Sequence, residues 1–276
     1  MYDNTCKFLA ENFPADFASW LLGESIVLTK IEPSELAVEP IRADSVIFLE
    51  SFKIILHIEF QTRTDENMAF RMLDYWVRLH RRYPDKEIYQ TVIYLKPTDS
   101  PLANQTSFNS KNLIHNYQVI RLWEQPTEIF QQYSGLLPLA VLTKTNNPTE
   151  VLNEVAKLID NIEDSKVKSN VAAATAIISG LALNKEVIQR LLRSEIMKES
   201  VIYQEILLEG EAKGKAEGKA EGKAEGKAEG KAEGLIEGEV RAANQIALNM
   251  IHSGIAIDLI AQFTGLSLDQ IQKLQQ

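Results

Sequence analysis

The segment Ile41–Thr62, IRADSVIFLESFKIILHIEFQT, constrains the fold of this chain more than any other stretch. Both of its halves are apolar and rich in β-branched and aromatic residues, which predicts two strands. The short connection at 50–53 between them predicts a hairpin. Helical turns interrupted at Pro14 are predicted at 3–22, and a polar break at 63–67 precedes a predicted helix at 68–83. Further strands are predicted at 88–95 and 117–123, with a polar loop at 98–115 between them. An apolar connector at 136–141 and helices at 149–160, 166–183 and 185–208 are predicted to follow. We therefore expect an α/β fold with a mixed sheet flanked by helices, followed by a helical C-terminal region.

The pairing of this hairpin decides which polar side chains meet. A turn centred directly after Ser51 places Asp44 opposite Glu59, and Arg42 opposite Gln61. Directly opposed carboxylates repel each other, and a divalent cation such as Mg²⁺, which prefers oxygen ligands, would remove that conflict. The alternative is a solvated face on which each acid pairs with Arg42 or another cation. Both interpretations remain open from the residues alone.

Side-chain alternation divides the second strand of the hairpin into two faces. One face carries the polar side chains of His57, Glu59 and Gln61. The other face carries the apolar side chains of Leu56, Ile58 and Phe60. The apolar face predicts burial in the core. We expect His57 to pack or to orient Glu59 rather than to bind a metal.

Three segments, in order, resemble a known nuclease family. They are residues 2–8, Asp44 with 59–61 (Glu-Phe-Gln), and 68–75 (MAFRMLDY). The middle one resembles the core of the PD-(D/E)XK nuclease superfamily, with Gln61 where a lysine usually stands. Taken together, they resemble the Rpn family of recombination-promoting nucleases, also described as transposases. The resemblance covers roughly residues 1–125 strongly.

The resemblance implies a PD-(D/E)XK-like sheet and a metal-dependent DNA endonuclease associated with recombination or mobile DNA. It implies that Asp44 and Glu59 hold Mg²⁺ or Mn²⁺ together with the backbone carbonyl of Phe60. Gln61 would be the third catalytic residue, and Asp3 a further acid near the site. From the residues alone, Asp3 is equally explained as a helix N-cap. The alternative function is a catalytically inactive nuclease-like module for binding or assembly.

A cationic stripe is predicted beside the carboxylates. Arg71, Tyr75 and Arg78 are spaced i, i+4 and i+7 on the predicted helix at 68–83, so they share one side of it. Arg71 can hold a phosphate oxygen of DNA, or it can brace the helix against an acid or a backbone carbonyl. A local basic patch of this kind is compatible with a net charge of −9, which argues only against indiscriminate binding of polyanions.

Other features of the composition predict a cytoplasmic protein. The single cysteine, Cys6, excludes an internal disulfide and fits a reducing compartment. We recognise no leader peptide and no apolar run of about 18 residues, so no membrane span is predicted.

The chain divides by pattern into four parts. We predict a nuclease-like domain at 1–145, a helical lobe at 146–209, a KAEG-repeat spacer at 210–234 and a small helical module at 235–276. The repeat is predicted to form a marginal, frayed helix, because every fourth residue is glycine and no side chain larger than alanine offers burial. A flexible spacer and a helix pair that meets along its glycines both remain open.

The last part has the pattern of a helix-turn-helix, with helices at 255–263 and 268–274. Its second helix contains one cation, Lys273, which is little for reading DNA. We therefore favour a docking or homo-oligomerisation module.

Overall fold

The computed structural model describes residues 2–31, 46–192, 197 and 200–274. It divides into a compact unit that runs to Leu208 and a second unit that begins at Glu209. The four-part division made from the sequence stays a prediction. The predicted fold class is confirmed: the structure is a mixed sheet flanked by helices, with a helical C-terminal region.

Five of the described strands form one mixed sheet in the order β1-β2-β3-β4-β7. β1–β2 and β2–β3 pair antiparallel, whereas β3–β4 and β4–β7 pair parallel. A separate pair, β5–β6, is antiparallel. The strands are β1 (Thr29–Lys30), β2 (Val46–Glu50), β3 (Ile54–Gln61), β4 (Glu87–Tyr94), β5 (Ser107–Ser110), β6 (Leu113–Asn116) and β7 (Gln118–Arg121).

The hairpin register differs from the prediction. Glu50 pairs with Ile55 and Val46 pairs with Glu59, so the turn is centred one residue later than expected. Ser51 explains this shift, because its backbone N–H donates to the Ile54 carbonyl and its hydroxyl accepts from the Ile54 N–H. The predicted pairing of Asp44 with Glu59 is therefore wrong in register. Asp44 itself lies outside the described residues.

The helices of the first unit lie on both faces of the sheet. α1 and α2 are separated at Pro14, as predicted, and α3 connects the parallel strands β3 and β4. These helices are α1 (Tyr2–Asn12), α2 (Pro14–Leu22), α3 (Met68–Arg82), α4 (Thr127–Phe130), α5 (Pro148–Asp160), α6 (Ser165–Ser179) and α7 (Lys185–Leu191).

The main core lies on one face of β3. Leu56, Ile58 and Phe60 are fully buried there, in one cluster with apolar residues of α1, α2, α5 and α6. The apolar connector predicted at 136–141 largely coincides with a buried 3₁₀ helix, Leu137–Leu142, in the same cluster. The predicted helical lobe therefore shares its core with the sheet. On the other face, α3 packs on the sheet through Tyr75 and Leu79.

Two local predictions are wrong. The polar stretch at 98–115, expected to be a loop, contains the β5–β6 hairpin with a two-residue turn at 111–112. Backbone ladder bonds form there without the apolar alternation on which sequence prediction depends. The helix expected at 185–208 is interrupted, because α7 ends at Leu191 and Ser200 begins a new helix as an N-cap, accepting from the Tyr203 N–H.

The second unit contains a small core of its own. α8 (Val201–His252) carries the KAEG repeat as one continuous helix, and α9 (Ile257–Thr264) and α10 (Leu268–Leu274) follow it. Ala247, Ile260, Leu266 and Ile271 are buried together. Gly265 turns the chain between α9 and α10 at φ 69°, a conformation that favours glycine. The helix-turn-helix pattern is thus confirmed as structure.

The repeat forms a helix although an isolated peptide of this sequence is expected to be marginal. Helix nucleation is costly and propagation is not, and here helical turns flank the repeat on both sides. Within the described part of the chain, none of the helices combines the length and apolar character needed to cross a bilayer.

Candidate active site

The polar face of β3 is covered by α3. Met68, Met72, Tyr75 and Leu79 recur along one side of α3 and are buried against the sheet. This packing places Arg71, in the first turn of α3, beside Glu59 near the carboxyl end of β3. The periodicity of α3 and the alternation of β3 determine which side chains share a face, and the packing of α3 on the sheet then brings these two together.

Four side chains form a charged group, which we call the Glu59 cluster: Glu59, Gln61, Asp65 and Arg71. Glu59 is fully buried, and its Oε2 accepts from Gln61 Nε2 at 3.1 Å. Arg71 Nε lies 3.3 Å from Glu59 Oε1, and Arg71 Nη2 lies 3.4 Å from Oε2. Arg71 Nη1 donates to Asp65 Oδ2 at 3.0 Å. One guanidinium therefore contacts two carboxylates, one of them inaccessible to solvent.

Asp65 is the member of the cluster that the sequence analysis missed. Its second oxygen, Oδ1, accepts from the Asn67 backbone N–H at 2.9 Å, which orders the turn that begins α3. The available signal was an aspartate in a polar stretch directly before a helix, because aspartate side chains commonly bond the backbone N–H two residues on in turns. The segment was interpreted only as a polar break between elements.

The predicted stripe of Arg71, Tyr75 and Arg78 does not act as a unit. Tyr75 packs edge-on against His57 and Phe48, with ring centroids 5.1 and 5.7 Å apart. Burial, and then the Glu59 charge, raise the pKa of Tyr75 to about 12. Arg78 forms an i, i+4 ion pair with Asp74 at 2.9 Å. Of this stripe, Arg71 is the residue that forms an ion pair with the predicted carboxylate Glu59.

The face of β3 beside the Glu59 cluster also carries a buried amide–imidazole network. Gln90 Nε2 lies 2.8 Å from both His57 Nδ1 and the Met72 carbonyl oxygen. Gln90 Oε1 lies 2.7 Å from His115 Nε2. An amide nitrogen only donates, so His57 Nδ1 accepts and its proton is on Nε2. Burial, and then the charge of Arg71, lower the pKa of His57 to about 3, which keeps the ring neutral.

Asp3, predicted as an additional acid of the site, lies near a cavity at the end of β3. It is the second residue of α1, half-buried, and its neighbour Tyr2 lines a cavity of about 530 Å³ together with Thr62, Arg63 and Lys96. That cavity lies at the carboxyl ends of β3 and β4, directly after Gln61. Its only charged lining groups in the described residues are two cations, Arg63 and Lys96.

The oxygen donors of the Glu59 cluster suit a hard cation. Two carboxylates and an amide oxygen are ligand types that Mg²⁺ accepts, and Arg71 provides positive charge between those carboxylates here. Among the described residues, no group of three or more His, Cys, Asp or Glu side chains converges. The donor chemistry thus fits Mg²⁺, and the set depends on Asp44, the predicted ligand that lies outside the described residues.

Comparison with known protein families gives a match that covers part of the second unit. Residues 241–276 match the C-terminal HTH domain of the Rpn/YhgA-like nuclease family. The match supports the Rpn resemblance through the second unit, and it does not extend to the sheet or to the Glu59 cluster. No curated protein and no solved structure matches the chain. The protein therefore combines a mixed α/β unit with a C-terminal segment that is similar to the HTH domain of a nuclease family.

Proposed function

We propose that this protein is a metal-dependent DNA endonuclease that hydrolyses phosphodiester bonds and acts in recombination or on mobile DNA. The observation that carries the proposal is the burial of Glu59, which holds Gln61 and Arg71 at the carboxyl end of a parallel strand. A fully buried carboxylate is costly unless it is paired, so such an arrangement is typical of sites that bind a cation or an anionic substrate. The nuclease-family HTH domain supports the same class.

The residues proposed to hold Mg²⁺ or Mn²⁺ are Asp44 and Glu59, with the backbone carbonyl of Phe60. When bound, the metal would acidify a water molecule and neutralise charge on the scissile phosphate.

The chain's own side chains have separate proposed tasks. Gln61 can orient a water molecule or a phosphate oxygen through its amide, but it cannot act as a base. Arg71 is proposed to hold a phosphate by charge-assisted hydrogen bonds once it is drawn away from Asp65. Arg63 and Lys96, in the cavity after Gln61, would bind the DNA backbone without reading its sequence. Tyr75 and Arg78 are proposed only as supports of α3, because each already contacts a neighbouring side chain.

A plasmid-nicking assay tests this function. We expect Asp44→Ala and Glu59→Gln each to abolish Mg²⁺-dependent nicking of supercoiled DNA, because each removes a proposed metal ligand. The matched control is Glu128→Gln, an exposed acid on α4, which should nick like the wild type. Circular dichroism and thermal denaturation establish whether each variant is folded. Undiminished nicking by both folded variants would refute the proposal.

A second function is supported by a specific observation. Arg71 already provides Glu59 and Asp65 with a positive charge, so the Glu59 cluster is tolerable without any metal. The protein would then be a nuclease-like binding or assembly module without turnover. Calorimetric titration with Mn²⁺ separates the two functions: metal binding that is lost in Glu59→Gln, together with nicking, favours the enzyme. Metal binding without nicking favours the module.

A further inference from the structure

The opposite end of β3 presents an aromatic side chain to solvent on a well-held turn. Phe52, in the turn between β2 and β3, is 92% exposed. The turn itself is fastened, because Lys86 Nζ donates to the Ser51 carbonyl at 2.8 Å and the Glu87 N–H donates to the Lys53 carbonyl at 2.9 Å. Phe52 is thus exposed on a turn that is hydrogen-bonded to the residues following α3 and to the start of β4.

Phe52 lines a cavity together with cations and a second aromatic ring. Lys53, Arg82, Tyr83 and Lys86 line one open cavity with it, of about 710 Å³. Lys86 Nζ and Arg82 Cζ lie 5.0 and 6.0 Å from the centroid of the Tyr83 ring. We call this surface, defined by Phe52, Lys53, Arg82, Tyr83 and Lys86, the hairpin-tip surface.

The balance of charge at this surface favours an anion. Acids are present, but Glu50 is ion-paired with Lys86, and the Glu87 carboxylate accepts from the Tyr89 hydroxyl at 2.9 Å. Asp85 is the remaining acid of the cavity wall. Lys53 and Arg82 are exposed, with no ion pair among the described residues, and Arg81 adjoins them at the end of α3. Unpaired cations beside an exposed ring are typical of surfaces that bind single-stranded nucleic acid.

The spacing between the two ends of β3 relates this surface to the Glu59 cluster. Five residue steps separate Ile54 from Glu59, which is about 17 Å along a strand. Eleven steps along α3 separate Arg71 from Arg82, which is also about 17 Å. The rise per nucleotide of a strand stacked as in duplex DNA is about 3.4 Å, so this span corresponds to roughly five nucleotides of stacked strand.

We propose that the hairpin-tip surface binds an unpaired nucleotide of DNA, which stacks on Phe52 while Lys53 and Arg82 contact its phosphates, about five nucleotides from the Glu59 cluster. This inference rests on the proposed nuclease function and specifies its substrate as single-stranded or locally unpaired DNA. A fully paired duplex would expose no base to Phe52.

The test measures binding separately from cleavage. Fluorescence anisotropy is recorded for full-length protein carrying Glu59→Gln, with three labelled probes: a 20-mer of deoxythymidine, a 20-base-pair duplex and that duplex with a central five-base bubble. We expect Phe52→Ala to weaken binding of the single strand and the bubble by about tenfold, because one stacking contact is lost, and to leave the duplex unchanged. The control is Ile114→Ala on β6, an apolar side chain that is also exposed.

Two further variants keep the test decisive. Phe52→Trp should retain binding, and its added fluorescence should be quenched by the single strand. Lys53→Gln with Arg82→Gln should reduce the slope of log affinity against log salt by about 1.4 for the single strand.

If Phe52→Ala binds each of the three probes as tightly as its parent does, this inference is overturned. The hairpin-tip surface would then be a surface for a protein partner. That result would leave the nuclease proposal intact, since that proposal depends on nicking by the Asp44 and Glu59 variants.

Discussion

The two faces of β3 differ in how they tolerate burial, although their residues alternate along one strand. Leu56, Ile58 and Phe60 are buried by apolar contacts that have no preferred partner. His57 and Glu59 are equally buried, but each depends on particular atoms of Gln90, Gln61 or Arg71. The apolar face therefore contributes stability that depends on area and packing. The polar face is stable only while its partners are present, and such dependence is typical of functional sites.

The largest expected effect concerns the apolar face. Phe60→Ala should lower the free energy of unfolding by about 4 kcal/mol, since it removes a fully buried ring that packs edge-on against Phe17. Urea denaturation followed by circular dichroism measures the change. Phe52→Ala is the matched control, because that ring is exposed. If Phe60→Ala and Phe52→Ala lower the free energy of unfolding by similar amounts, burial of Phe60 does not contribute the expected stability.

A smaller effect is expected on the polar face. Arg71→Gln should lower the free energy of unfolding by about 2 kcal/mol, because Glu59 is left buried without its cation. The loss is limited because Arg71 is partly exposed, so solvent can reach the site in its place. Adding Glu59→Gln to this variant should restore much of the loss, since the charge that needed a partner is gone. Additive losses in the double variant would mean that the two side chains do not depend on each other.

The smallest effect is a dependence on pH. His57 is neutral in the folded protein because burial lowers its pKa to about 3, whereas the pKa of a histidine in the unfolded chain is near 6.5. Between those values the unfolded chain binds the extra proton, so stability decreases as pH falls from about 6.5, by at most ~1.4 kcal/mol per pH unit from this residue. Denaturant midpoints at pH 7 and 5 should therefore differ less in His57→Gln than in the wild type. An unchanged difference would mean that other groups dominate the pH dependence.

The sequence predicted most of the elements that position the site. The periodicity of α3, the alternation of β3, the break at Pro14 and the paired C-terminal helices are local patterns, and each is present in the structure. The β5–β6 hairpin escaped prediction because its strands are short and polar. The predicted hairpin register was wrong by one residue because hydrogen bonds of Ser51, rather than hydrophobicity, determine where the turn is centred.

Within the candidate site, the sequence identified Glu59, Gln61 and Arg71 but not how they combine. Asp65 was missed because an aspartate in a polar stretch before a helix normally indicates a turn, and here it does order that turn while also binding Arg71. The roles of Asp44 and of the Phe60 carbonyl as ligands stay predictions. The same holds for a homo-oligomer formed through the C-terminal helices.

The order of residues by itself determined which side chains of β3 share a face and which side of α3 is apolar, since both depend only on the geometry of the backbone. Tertiary structure alone decided that Arg71 joins Glu59 to Asp65 and that His57 is locked as a neutral acceptor of the Gln90 amide. These partners are 6, 12 and 33 residues apart along the chain and belong to different strands, turns or helices. The ionisation state of a side chain depends on the groups that tertiary packing brings within a few ångströms of it.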